Sequence, residues 1–91
     1  MKKRRAVVSV IGKDQVGIIA RVTNVLASHQ INILDISQTI LQEFFTMMML
    51  VDVSDVANVT SLQNEFDQLG QELGLEINIQ LEEIFQAMHR V

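Results

Sequence analysis

The residues whose types and spacing best suit chemistry are Gly12-Lys13-Asp14-Gln15-Val16-Gly17-Ile18. They follow the apolar run Ala6-Val7-Val8-Ser9-Val10-Ile11 and precede a helical apolar pattern that begins at Ile18, so they read as a strand, a glycine-bracketed turn and a helix start. Glycine reaches backbone angles closed to other residues, and the first turn of a helix presents unpaired N–H groups beside the positive end of its dipole. A carboxylate fits such a place. A tight strand-to-helix turn also needs glycine with no ligand present, so the loop's meaning depends on its surroundings.

Other reactive side chains have simpler explanations. His29 stands where the first helix ends, and an imidazolium there interacts with the dipole. His89 lies beside Arg90 in the terminal segment and reads as solvated. Glu82 and Glu83 are sequence neighbours, so on a helix they point apart and form no acid/base couple; they favour a helix N-terminus instead. Asp52-Val53-Ser54-Asp55 lacks the glycine and distal glutamate of a calcium loop and reads as loop-forming. Met47-Met48-Met49 reads as core or interface filling. No metal site and no cofactor is expected.

The 91 residues form a single domain, 1–91, with a basic tail at 1–4. Without cysteine there is no disulfide, thiolate ligand or thiol nucleophile, which fits a cytoplasmic protein. The six-residue apolar run is too short for a secretory segment or a bilayer span, so no membrane association is expected. Four of the seven basic residues lie at positions 2–5; the rest of the chain sets three against eleven acidic residues, a net of −8. Such a body repels phosphate backbones, and with no Trp or Tyr there is little for bases to stack on. No nucleic-acid partner is expected.

The elements that must position the loop follow from periodicity. Residues 6–11 read as a strand, and Ile18, Ile19, Val22, Val25 and Leu26 as one helix face running to His29. Segments 31–41 and 44–53, separated by Gln42-Glu43, read as a hairpin. Its first strand switches apolar parity near Leu34-Asp35, which predicts a bulge. In the second strand Phe45, Met47, Met49, Val51 and Val53 face the helix side, while Phe44, Met48 and Leu50 face away. Thr60 and Gln63 have capping-box spacing ahead of Leu62, Phe66, Leu69 and Leu73, and Gly74 ends that helix. Leu75, Ile77 and Ile79 alternate with polar residues as a half-buried strand. Leu81, Ile84, Phe85 and Met88 then predict a short C-terminal helix over 82–90.

This βαββαβ order with right-handed crossovers predicts an α+β, ferredoxin-like two-layer sandwich: a four-stranded antiparallel sheet, two helices on one face and an extra short C-terminal helix. The face without helices would expose apolar side chains, so a second subunit or the terminal helix is expected to cover it, and a homodimer or higher homo-oligomer is expected.

The loop pattern Gly-x-Asp-x-x-Gly-Ile at residues 12–18, with Asn32-Ile33 opening the second strand, resembles the ACT domain family over residues 5–81. Asp35-Ile36-Ser37-Gln38-Thr39-Ile40 with Phe44-Phe45-Thr46-Met47-Met48 is similar to small stand-alone bacterial ACT proteins. The resemblance implies a non-catalytic regulatory module that binds a small molecule, an amino acid by class, at a subunit interface and signals to a partner enzyme or regulator. It implies a ligand site of Asp14, Gln15, Val16, Gly17 and Ile18, with Asn32 and Ile33 from the adjoining strand or the partner subunit's. Asn both donates and accepts, which suits an α-amino acid.

Two residues keep two readings each. Asp14 either caps the helix or accepts a ligand ammonium, and Asn32 is either a local structural amide or a ligand contact. The alternative function is a ligand-free oligomerisation or adaptor module acting through sheet-face protein contacts. An acylphosphatase-like enzyme is disfavoured, since that chemistry resembles one using an Arg in the first loop, where this chain has only Lys13.

Overall fold

A computed structural model describes residues 4–84. Strand β1 (Arg5–Lys13) buries Ala6, Val8 and Val10 and continues through Gly12, which pairs with Phe45 on one side and Leu75 on the other. Gly12 therefore belongs to the strand and not to the turn. A Cβ there would stand 2.5 Å from Leu75 Cδ2 and 3.2 Å from the Gly74 carbonyl oxygen, so close approach is what demands glycine. Of the two glycines that bracket the motif, only Gly17, at φ 89°, uses glycine's conformational freedom in the expected way.

Helix α1 (Ile18–Ser28) buries Ile18, Val22 and Leu26. It closes with Ile31 N–H donating to the Leu26 carbonyl at 3.0 Å and Gln30 N–H to Ala27 at 2.9 Å, with Gln30 in the left-handed region at φ 58°.

Strands β2 (Asn32–Leu41) and β3 (Phe44–Asp52) form the expected hairpin about Gln42-Glu43, with Gln42 at φ 58°. The parity switch is a bulge: Ile33 faces Val51 and Asp35 faces Leu50, leaving Leu34 as the extra residue. The Asp35 carboxylate accepts the Ile36 N–H at 2.9 Å.

Helix α2 (Val59–Leu73) starts differently from the expected capping box. Asn58 is its N-cap, and its side-chain oxygen accepts from Thr60 and Ser61 N–H at 3.0 and 3.4 Å. Gln63 is turned toward the sheet instead of back to the helix start. Gly74, at φ 71°, ends the helix and leads into β4 (Leu75–Leu81), where Leu75, Ile77 and Ile79 are buried as the alternation predicts.

The sheet order is β2-β3-β1-β4, antiparallel throughout. Leu26, Leu62 and Phe66 from the helices pack over Val8, Val10, Met47 and Met49, so the fold is the ferredoxin-like sandwich. Every residue of β2 is exposed, because this strand is the sheet margin and the helices do not cover it. On the other face Ile11, Phe44 and Met48 are open to solvent.

Arg4, expected in the solvated tail, is held by its backbone. Its carbonyl accepts the Val53 N–H at 2.9 Å, and its N–H donates to Ser54 Oγ at 3.0 Å. Glu82 opens the C-terminal helical turn at 82–84 and accepts both Nε and Nη2 of Arg5, at 3.0 and 2.8 Å. The remainder of the helix expected over 82–90, with Phe85, Met88 and His89, lies outside the described residues, as do positions 1–3.

Candidate functional site

The β1–α1 loop is tied down at both flanks. Asp14 N–H donates to the Glu43 carbonyl at 2.8 Å, fastening the loop to the β2–β3 turn. Gln15 Nε2 donates to the Leu73 carbonyl at 2.7 Å and reaches the Lys13 carbonyl at 3.4 Å, fastening it to the end of α2. The Gln15 side-chain donor is thus occupied within the chain. Val16 is fully exposed at the tip, and Ile18 is buried as the first residue of α1.

Gly17 itself is the N-cap of α1, and no side chain caps this helix. The reading of Asp14 as a cap is therefore corrected; its carboxylate stays on the exposed surface. Without a side-chain acceptor, and with no acidic residue in the first turn, the N-terminal N–H groups of α1 keep their capacity for an external anion.

Asn32 and Ile33 lie elsewhere. Asn32 pairs with Asp52, which pairs with Arg5 at the start of β1; the loop leaves from Lys13, which pairs with Phe44. Eight residues of strand separate these two levels, roughly 26 Å at 3.3 Å per residue. Within one chain the seven candidate residues form two groups at opposite ends of the sheet, 14–18 at one and 32–33 at the other. Both Asn32 and Ile33 are exposed on the sheet margin. A groove of about 640 Å³ between α2 and β4, lined by Phe66, Asp67, Gly70, Glu76 and Asn78, contains none of the seven.

Three other reactive side chains among the described residues, those of His29, Arg21 and Asp52, are engaged structurally. The His29 ring, at the C-cap of α1, bonds Glu65 of α2, and Arg21 of α1 bonds Glu72 of α2. Asp52 Oδ1 accepts the Ser54 N–H at 2.9 Å, the loop-forming role expected of that segment. Among the described residues no group of three or more His, Asp or Glu is placed to hold a metal ion. No helix among them is long and apolar enough to cross a membrane. The anchoring roles of Glu43, Leu73 and Gln63 were not legible in sequence, because two act through backbone carbonyls that any residue carries.

The family model for the ACT domain matches residues 4–80. The chain belongs to the ACT domain family. ACT domains are regulatory modules that commonly oligomerise and bind small-molecule ligands. This ACT domain is 54% identical over 88 residues to a UPF0237 protein of Clostridium acetobutylicum, covering 96% of this chain and 99% of that one. It is similar to the solved structure of an ACT domain protein from Streptococcus pneumoniae, at 45% identity and a TM-score of 0.82, covering 93% and 97% of the two chains. A more distant likeness, at 26% identity and a TM-score of 0.66, is to the regulatory subunit of aspartate kinase from Thermus thermophilus, where 85% of this ACT domain covers 50% of that chain.

Proposed function

We propose that this ACT domain is a non-catalytic sensor of an amino acid, which binds between two copies of the chain and signals to a partner protein. The observation that carries the reading is the separation of the candidate residues. Loop 14–18 and the pair Asn32-Ile33 are about a strand's length apart within one chain, and Asn32 opens the exposed marginal strand.

Antiparallel pairing of two β2 margins reverses one copy against the other. Asn32 of one copy then faces the Leu41 end of its neighbour. That end adjoins the turn at Gln42-Glu43, to which loop 14–18 is fastened through Asp14. Each pair so formed has two equivalent sites, each with helix N–H donors for a carboxylate from one copy and an asparagine amide from the other. The name of the aspartate kinase subunit as regulatory supports the same class of role.

The test is thermal unfolding against the twenty amino acids and related metabolites, with Asn32→Ala and Gly17→Ala as controls. A ligand at about one hundred times its Kd stabilises by roughly 2.7 kcal/mol, a shift of several degrees for a domain of this size. Each variant alone loses the shift. Mixing the two variants restores one of the two sites in each mixed pair, because that pair contains one site with an intact loop and an intact Asn32. Failure of the mixture to recover binding, where each variant folds, rejects the shared site.

The adaptor reading is favoured by a separate observation: Ile11, Phe44 and Met48 are exposed on the face away from the helices, which margin pairing leaves open. Absence of any shift across the panel, with a stable oligomer present, selects it.

A further inference from the structure

The two margins of the sheet are built differently. Along β4 the side chain of Gln63 stands where a neighbouring strand would: Nε2 donates to the Ile77 carbonyl at 3.0 Å, and Oε1 accepts the Ile79 N–H at 2.8 Å. Groups two residues apart on a strand point to the same side, and β4 has β1 only on its other side. Gln63 therefore occupies the donor and the acceptor that an added strand would use. It is held there in turn, since Nε2 also donates to Asp67 Oδ1 at 2.8 Å one helical turn along α2. Gly70 brings the helix against the same margin, because a Cβ there would meet the Leu75 carbonyl oxygen at 2.5 Å.

Among the described residues, strand β2 has none of this. Its ladder runs to β3 alone, all ten residues are exposed, and its only charged side chain is Asp35. Ile33, Ile36, Ile40 and Leu41 are open to solvent along it. A long apolar margin with few charges accepts another strand readily.

We infer that Gln63 limits assembly: by closing β4 it leaves β2 as the margin that receives a second copy of this chain, so that growth ends at a closed pair. The inference rests on the β2 pairing proposed above. Two like margins about a two-fold axis consume each other and stop, whereas two open margins per copy build rows without end. An open β4 gives each pair two further attachment edges.

The test is particle mass by sedimentation over a concentration series, with amide exchange at Ile79 as the second readout. Gln63→Met keeps the length and the packing of α2 but makes neither bond. It is expected to expose the Ile79 amide at low concentration and to form concentration-dependent multiples of the wild-type particle. Gln63→Glu still accepts from Ile79 N–H but offers no donor to the Ile77 carbonyl, and falls between the two; it carries the same readouts should the Met variant not fold. An Ile79 amide that exchanges faster while the mass stays at the wild-type value overturns the inference, since the margin would then be open and unused. A wild-type particle that is monomeric overturns the β2 pairing instead, so the two failures are separable.

Discussion

The Gln15 amide donates to the carbonyl of Leu73 at 2.7 Å, so the β1–α1 loop is bound to the last residue of α2. A helix end leaves its final carbonyls without intrahelical partners, and Gln15 supplies one from outside. Together with the bond from Asp14 N–H to Glu43, this presets the loop before any ligand arrives. Gln15→Ala removes this hydrogen bond, with the longer one to the Lys13 carbonyl, and is expected to lower stability by about 1 kcal/mol. For a domain of this size that is a fall in Tm of roughly 4–8 °C, with faster amide exchange at residues 14–17. Gln15→Glu, which has no donor for the carbonyl, falls at least as far. An unchanged Tm in both variants would show that the contact contributes nothing to the fold.

Gly12 and Gly17 bracket the same motif for different physical reasons, and their substitutions separate them. A Cβ at Gly17 meets nothing within 4 Å, yet φ is 89°, so Gly17→Ala loses about 1–2 kcal/mol through the backbone alone. Gly17→Asn loses less, because asparagine tolerates the left-handed region. Gly12→Ala loses about 1–3 kcal/mol through crowding against Leu75 Cδ2. Leu75→Val removes that atom, so it is expected to be less harmful in the Gly12→Ala background than alone, whereas it simply adds to Gly17→Ala. A double-mutant cycle by chemical denaturation measures both couplings.

The strands and helices were legible because burial imposes periods on the sequence. Phe45, Met47, Met49 and Val51 alternate because β3 lies between two strands beneath the helices, and the parity switch in β2 located the bulge at Leu34. Features that depend on a side chain meeting a distant backbone group were not legible. Gln63 has the spacing of a capping residue after Thr60, but β4 passes close enough to take its amide, and tertiary contact wins over the local motif. The candidate site was legible as two residue groups and not as a place. Only the pairing of Asn32 with Asp52, and of Lys13 with Phe44, puts them at opposite ends of one sheet.

The start of α2 allows local motif and tertiary structure to be set against each other directly. A capping box assigns the stabilising role to Thr60, whereas in the structure Asn58 accepts the Thr60 and Ser61 N–H groups. Asn58→Ala is therefore expected to lose about 1 kcal/mol, and Asn58→Asp to retain most of the cap, since a carboxylate oxygen accepts the same N–H groups at the positive end of the helix. Thr60→Ala stays within about 0.5 kcal/mol of wild type, as an exposed substitution away from caps and core does. Urea denaturation of the three variants decides the matter. Loss at Thr60 exceeding loss at Asn58 would mean that the hydroxyl, and not the Asn58 amide, holds the first turn, and would free Gln63 to bond back to the helix start instead of sealing β4.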